Sequence, residues 1–101
     1  MSSEIDTYKQ EIFNLCRYYN VRKLYAFGSV LTDKFDKNSD IDLIVEFSNM
    51  SVEDYADNYF ALKFSLEDIL KRQIDLLEEK AIKNPYLRES INKQRQLVYG
   101  Q

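Results

Sequence analysis

Ten residues separate Ser29 from Asp40, and that interval, with what stands at its two ends, constrains this chain more than any other feature. Before it runs Leu24-Tyr25-Ala26-Phe27, apolar and aromatic as a buried strand is, and ending at Gly28. A residue without a Cβ lets the backbone turn sharply and come close to a ligand. A strand-Gly-Ser-helix junction also offers unpaired backbone N–H groups and a hydroxyl to phosphate oxygens. After the interval, Asp40-Ile41-Asp42 opens the run Leu43-Ile44-Val45-Glu46-Phe47. Side chains alternate along a strand, so Asp40 and Asp42 face one side while Ile41, Leu43, Val45 and Phe47 face the other. Two like charges so close call for a cation. Hard carboxylate oxygens suit Mg²⁺, which takes one or two of them and completes its shell with water and substrate phosphates.

A third carboxylate follows at Asp75, 33 residues after Asp42, inside Gln73-Ile74-Asp75-Leu76-Leu77, which reads as another strand. If that strand lies beside the Asp40 strand, the three acids gather next to the phosphate-binding turn. Such a layout serves two-metal phosphoryl or nucleotidyl transfer, where the ions clamp the attacking and leaving oxygens.

The composition narrows the chemistry further. Histidine is absent and Cys16 is alone, which removes imidazole acid-base work, an internal disulfide and a cysteine zinc site. Cys16 falls on an apolar stripe and reads as a packed thiol. The net charge of −3 divides unevenly: residues 1–70 hold 7 basic and 13 acidic side chains, residues 71–101 hold 7 and 4. An acidic chain is a poor duplex binder, so no direct DNA binding is expected. No apolar run reaches the length of a membrane span and the first residues lack a secretory pattern, which places the protein in the cytoplasm, away from membranes. At 101 residues the expectation is one domain over 1–101.

Ile5, Tyr8, Ile12, Leu15, Cys16 and Tyr19 recur at helical spacing, which predicts one helix over 4–19 with Ser2 or Ser3 as its cap. Strands follow at about 22–27, 40–46 and 73–77. Between the last two, Ser51 caps a long helix over 52–71 with Tyr55, Tyr59, Leu62, Leu66 and Ile69 on one stripe, and Ser65 marks a place where it can break. Asn84-Pro85 starts a short helix to about Lys93 with Leu87 and Ile91 inward, and Gln96-Leu97-Val98-Tyr99 closes the chain as an edge strand or docked tail. The order defines an α+β domain, an α/β-type sandwich with a small mixed sheet flanked by helices. The polar stretch 33–39 carries Lys34 and Lys37, the cations nearest the turn.

With Gly28-Ser29, Asp40-Ile41-Asp42 and Asp75 in place, the sequence resembles the minimal nucleotidyltransferase domains of the DNA polymerase beta-like superfamily, and within it the MntA-type antitoxins paired with HEPN-domain toxins. The resemblance implies a polymerase beta-like palm fold, with Gly28 and Ser29 on the phosphates of ATP. It implies two Mg²⁺ ions on Asp40, Asp42 and Asp75, and Asp75 orienting or deprotonating the incoming hydroxyl. It implies AMP transfer to a tyrosine of a cognate HEPN-family ribonuclease toxin, with pyrophosphate released and the toxin silenced. Neutralisation by binding alone, and transfer to a small molecule or an RNA end, are the alternatives. Many relatives carry Arg-Gly shortly after the Gly-Ser, where this chain has Thr32-Asp33. Lys34 is the substitute at hand, a point charge without a bidentate fork.

Overall fold

A computed structural model describes residues 3–31 and 39–100, with the backbone alone at Ser3 and Ser29. The elements are α1 (Ser3–Thr7), α2 (Lys9–Tyr18), β1 (Val21–Phe27), a 3-10 turn at Gly28–Leu31, β2 (Ile41–Phe47), α3 (Val52–Leu70), β3 (Ile74–Glu78), a second 3-10 turn at Glu79–Ala81, α4 (Pro85–Gln94) and β4 (Gln96–Tyr99). The strands form one sheet in the order β3-β2-β1-β4, with β1 antiparallel to both β2 and β4 and β2 parallel to β3. A parallel pair needs a long crossover, and α3 supplies it. The mixed sheet flanked by helices agrees with the sequence expectation.

Alternation decides which face each strand buries. Leu24, Ala26, Ile41, Leu43, Val45, Phe47, Ile74, Leu76 and Val98 face α1, α2 and α3, whose Ile5, Ile12, Cys16, Leu62, Leu66 and Leu70 complete the main core. Every fully buried side chain among the described residues is apolar. The opposite face is covered more sparsely: Ile44 packs with Ile82 and Ile91, flanked by Tyr25, Phe27 and Leu77. Among the described residues the two faces thus divide labour, one sealed by three helices and the other covered by fewer side chains.

The caps follow the sequence. Ser51 Oγ accepts from the Asp54 N–H at 3.1 Å, and Glu53 and Asp54 sit where the helix dipole favours acids. Asn84 Oδ1 accepts from the N–H groups of Tyr86 and Leu87, with Pro85 at the first helical position. Three expectations are corrected. The 4–19 helix is two segments that meet at Tyr8, whose φ of −102° leaves the helical well, although Tyr8 N–H still donates to Glu4 and Ile12 N–H to the Tyr8 carbonyl. Within α3 no break occurs at Ser65, because Leu62, Leu66 and Leu70 bury a continuous stripe across it. Leu87 is 47% exposed, since α4 is fixed through Ile91 and through Arg88, which donates to the Ile82 carbonyl and to Glu79, and that pose leaves its first turn at the rim. No helix among the described residues is long and apolar enough to cross a membrane.

Candidate functional site

β1 ends at Phe27, which lies opposite Asp42 of β2 in the antiparallel ladder. Gly28 then takes φ +78°, and a Cβ placed on it would stand 2.5 Å from Asp42 Oδ2. Only glycine combines that left-handed backbone with so near a carboxylate. On the other side of β2, the parallel register sets Asp42 level with Asp75. Paired residues on neighbouring strands point the same way, about 4.8 Å apart at the backbone. Asp40, one residue before β2, shares with Asp75 a cavity of about 510 Å³ lined also by Tyr59, Lys63 and Glu67. Gly28, Asp40, Asp42 and Asp75 therefore meet at one end of the sheet.

The electrostatics record the crowding. Burial pushes the Asp42 carboxyl above its usual range, and the charges of Asp75 and then Asp40 push it the same way. Among the described residues no three acidic, His or Cys side chains are gathered closely enough to hold an ion between them. The three aspartates thus form an open rim rather than a closed cage. An open rim of hard oxygens still fits Mg²⁺, which keeps most of its shell for water and phosphate.

The residues that hold this rim come from distant parts of the chain. Arg72, 9% exposed, donates Nε and Nη2 to both oxygens of Glu4 at 2.6 Å and Nη1 to the Ser39 carbonyl at 2.9 Å. The next residue's carbonyl, Gln73, accepts the Ile41 N–H at 3.1 Å. Asp40 is thereby bracketed on both sides by the segment that leads into β3. The Nucleotidyltransferase domain family matches residues 10–98.

This chain belongs to that family. Two relatives in Methanocaldococcus jannaschii, "Putative protein adenylyltransferase MJ0128" and "Putative protein adenylyltransferase MJ1379", are 38% and 36% identical over 81 residues, 80% of this chain and 78% of each relative. Among solved structures, a "putative minimal nucleotidyltransferase" is 26% identical with a TM-score of 0.73, covering 95% of both chains. A toxin-antitoxin crystallised with AMP-PNP shares the fold at 22% identity and a TM-score of 0.71, covering 92% of this chain and 73% of that one.

In this nucleotidyltransferase Lys34, Lys37 and the Thr32-Asp33 departure lie outside the described residues, as does the Ser29 side chain. What sequence reasoning missed is Arg72, together with Lys63 and Glu67, which continue at four-residue steps from Tyr59 of the apolar stripe. Arg72 reaches a partner 68 positions away, and no local pattern announces such a contact. The signal for Lys63 and Glu67 is their four-residue spacing from Tyr59, which sets the three side chains above one another on α3. Among the described residues Lys63 is the cation that lies with Asp40 and Asp75 in the cavity, and its Nζ is 3.9 Å from Glu67 Oε2.

Proposed function

We propose that this nucleotidyltransferase transfers AMP from ATP to a tyrosine of a cognate HEPN-domain toxin and so acts as an antitoxin. The observation that carries the reading is the meeting of Gly28, Asp42 and Asp75 at one end of the sheet. The names of the M. jannaschii relatives support protein as the acceptor, and the toxin-antitoxin neighbours support a toxin.

In this reading the backbone at Gly28, with Ser29, holds the triphosphate against the 3-10 turn, whose N–H groups donate to phosphate oxygens. Asp40 and Asp42 would hold two Mg²⁺ ions, with Asp75 beside the second; bound there, the ions neutralise the phosphates and the charge that develops on the transferred group. Asp75 orients the tyrosine hydroxyl and takes its proton. The phenolic oxygen then bonds to the α-phosphorus while the bond from that phosphorus to the bridging oxygen breaks, and pyrophosphate leaves with the electron pair. Lys34 and Lys63 are the cations proposed for the phosphates. The single chain 1–101 is proposed to act as one domain in the cytoplasm.

Intact-mass measurement of the purified toxin after incubation with this chain, ATP and Mg²⁺ tests the reading. A gain of adenylyl units that disappears with Asp42→Asn is expected. No gain on the toxin refutes it, and protection by Asp42→Asn as complete as by the wild type would favour masking instead.

A further inference from the structure

The acid cavity does not end at Asp75. Tyr59 and Leu76 line it and also line a second, apolar groove of about 420 Å³ bounded by Tyr55, Phe60, Leu77 and Ala81, with Glu78 at its border. The two lie end to end along the free side of β3 as a channel crossed by one bar, the Tyr59 side chain, whose hydroxyl donates to the Leu76 carbonyl between them. On its outer wall α3 presents Phe60, 53% exposed, and beside it on the same helix face, outside the groove lining, Phe64 is 58% exposed with its ring stacked on that of Phe60 at 6.2 Å. Two large aromatic rings left in water on one helix face are costly unless something covers them.

We propose that this channel seats the acceptor segment of the partner protein, with the hydroxyl to be modified at Asp75 and a neighbouring apolar side chain in the groove against Phe60. The proposal rests on the protein-adenylylation reading above and specifies where the acceptor enters. Three observations select this occupant. First, the channel leads to Asp75, and β3 is the outermost strand, so a hydroxyl reaches Asp75 from that side. From Asp75 to Glu78 the strand advances about 10 Å, the reach of three extended residues, so a segment with its acceptor at Asp75 fills the apolar part with its next side chains. Second, the border of the apolar part is acidic. Glu53 and Asp57 precede Phe60 on the same exposed face of α3 and Glu78 lines the strand side, while Lys63, whose Nζ lies 5.6 Å from the Phe64 ring centroid, stands at the Asp75 end. The matching segment therefore carries basic residues beside its apolar one. Third, the free edge is already closed to an added strand: Ile74 N–H donates to Glu67 Oε2 at 3.0 Å and the Leu76 carbonyl accepts from the Tyr59 hydroxyl. The occupant is held through side chains rather than by extending the sheet.

Phe60→Ser and Phe64→Ser in the full chain test this, with AMP transfer to the HEPN-domain protein and ATP affinity measured side by side. ATP affinity is expected to stay within twofold of wild type while KM for the protein acceptor rises about tenfold, as truncating a central aromatic anchor does. A photo-cross-linking variant, Phe60→p-benzoylphenylalanine, should attach to a peptide that contains or adjoins the adenylylated tyrosine. An acceptor KM within twofold of wild type in both serine variants overturns the channel alone, as does a cross-link to a second copy of this chain or to a site remote from that tyrosine. A wild-type chain that binds ATP but adenylylates no tyrosine of the protein overturns the functional reading, and the channel with it.

Discussion

Replacing Gly28 by alanine separates two costs that glycine avoids at once. The backbone there sits at φ +78°, and holding an L-residue in that region costs about 1–2 kcal/mol. In a domain of this size such a loss lowers Tm by about 5–15 °C. The second cost falls on the site. The new Cβ would lie 2.5 Å from Asp42 Oδ2, so the carboxylate must retreat by about 1 Å to reach ordinary contact. That retreat is cheap for folding, because a side-chain tip moves, yet a misplacement of about 1 Å can cost on the order of a hundredfold in rate. Gly28→Asn divides the two, since asparagine tolerates the left-handed region and still brings a Cβ. Calorimetry and transfer of labelled AMP should show Gly28→Ala poor in both stability and rate, and Gly28→Asn nearer wild type in Tm but equally slow. Rates near wild type in both variants would refute the claim that Gly28 exists to let Asp42 approach.

Asp42→Asn should raise Tm at neutral pH, because the native state raises the Asp42 carboxyl and that group disfavours folding once ionised. The advantage of the variant should fade as pH falls through the raised native value toward the ordinary carboxylate range, and a pH series of melts that shows no such convergence contradicts the crowding. Arg72→Met should cost about 2 kcal/mol, less than a fully buried pair because Glu4 is 35% exposed and regains water. The hydrogen bond from Arg72 holds the Glu4 carboxyl below its usual range, so wild type should lose this contribution as pH drops through that lowered value, and the variant should not. AMP transfer should fall as well, since the Ser39 carbonyl beside Asp40 is released. Cys16 is fully buried and its thiol is pushed up to about 12 by burial, so a disulfide exchange reagent should react only as fast as the native chain opens.

Much of the fold was legible because its periods are clean. Ile41, Leu43, Val45 and Phe47 alternate with Asp42, and all four are buried on one face as that alternation requires. Ser51 and Asn84-Pro85 announce their helices through the hydrogen bonds that their side chains make. The rest depended on distance in the chain. That Asp75 stands level with Asp42 follows from the pairing of β2 with β3, which no pattern inside either strand encodes. Leu87 misled because helical spacing says which side chains share a face, not which end of that face overhangs the sheet. The aromatic pair Phe60 and Phe64 escaped for the opposite reason: apolar residues off the main stripe look like noise until the strand beside them is known.

The parallel pairing of β2 and β3 turns α3 into a gauge block. Its start is pinned by the Ser51 hydroxyl and its end by Lys71, whose φ of 56° stops the helix where β3 must begin. One added residue inside it would turn everything downstream by about 100° and advance it by about 1.5 Å. A single-step slip of β3 would then carry Asp75 through to the helix-covered side of the sheet. Descendants of this chain are free to redraw the outer face of α3 for new partners, but the number of residues in it is as much a part of the proposed active centre as Asp42 and Asp75 are.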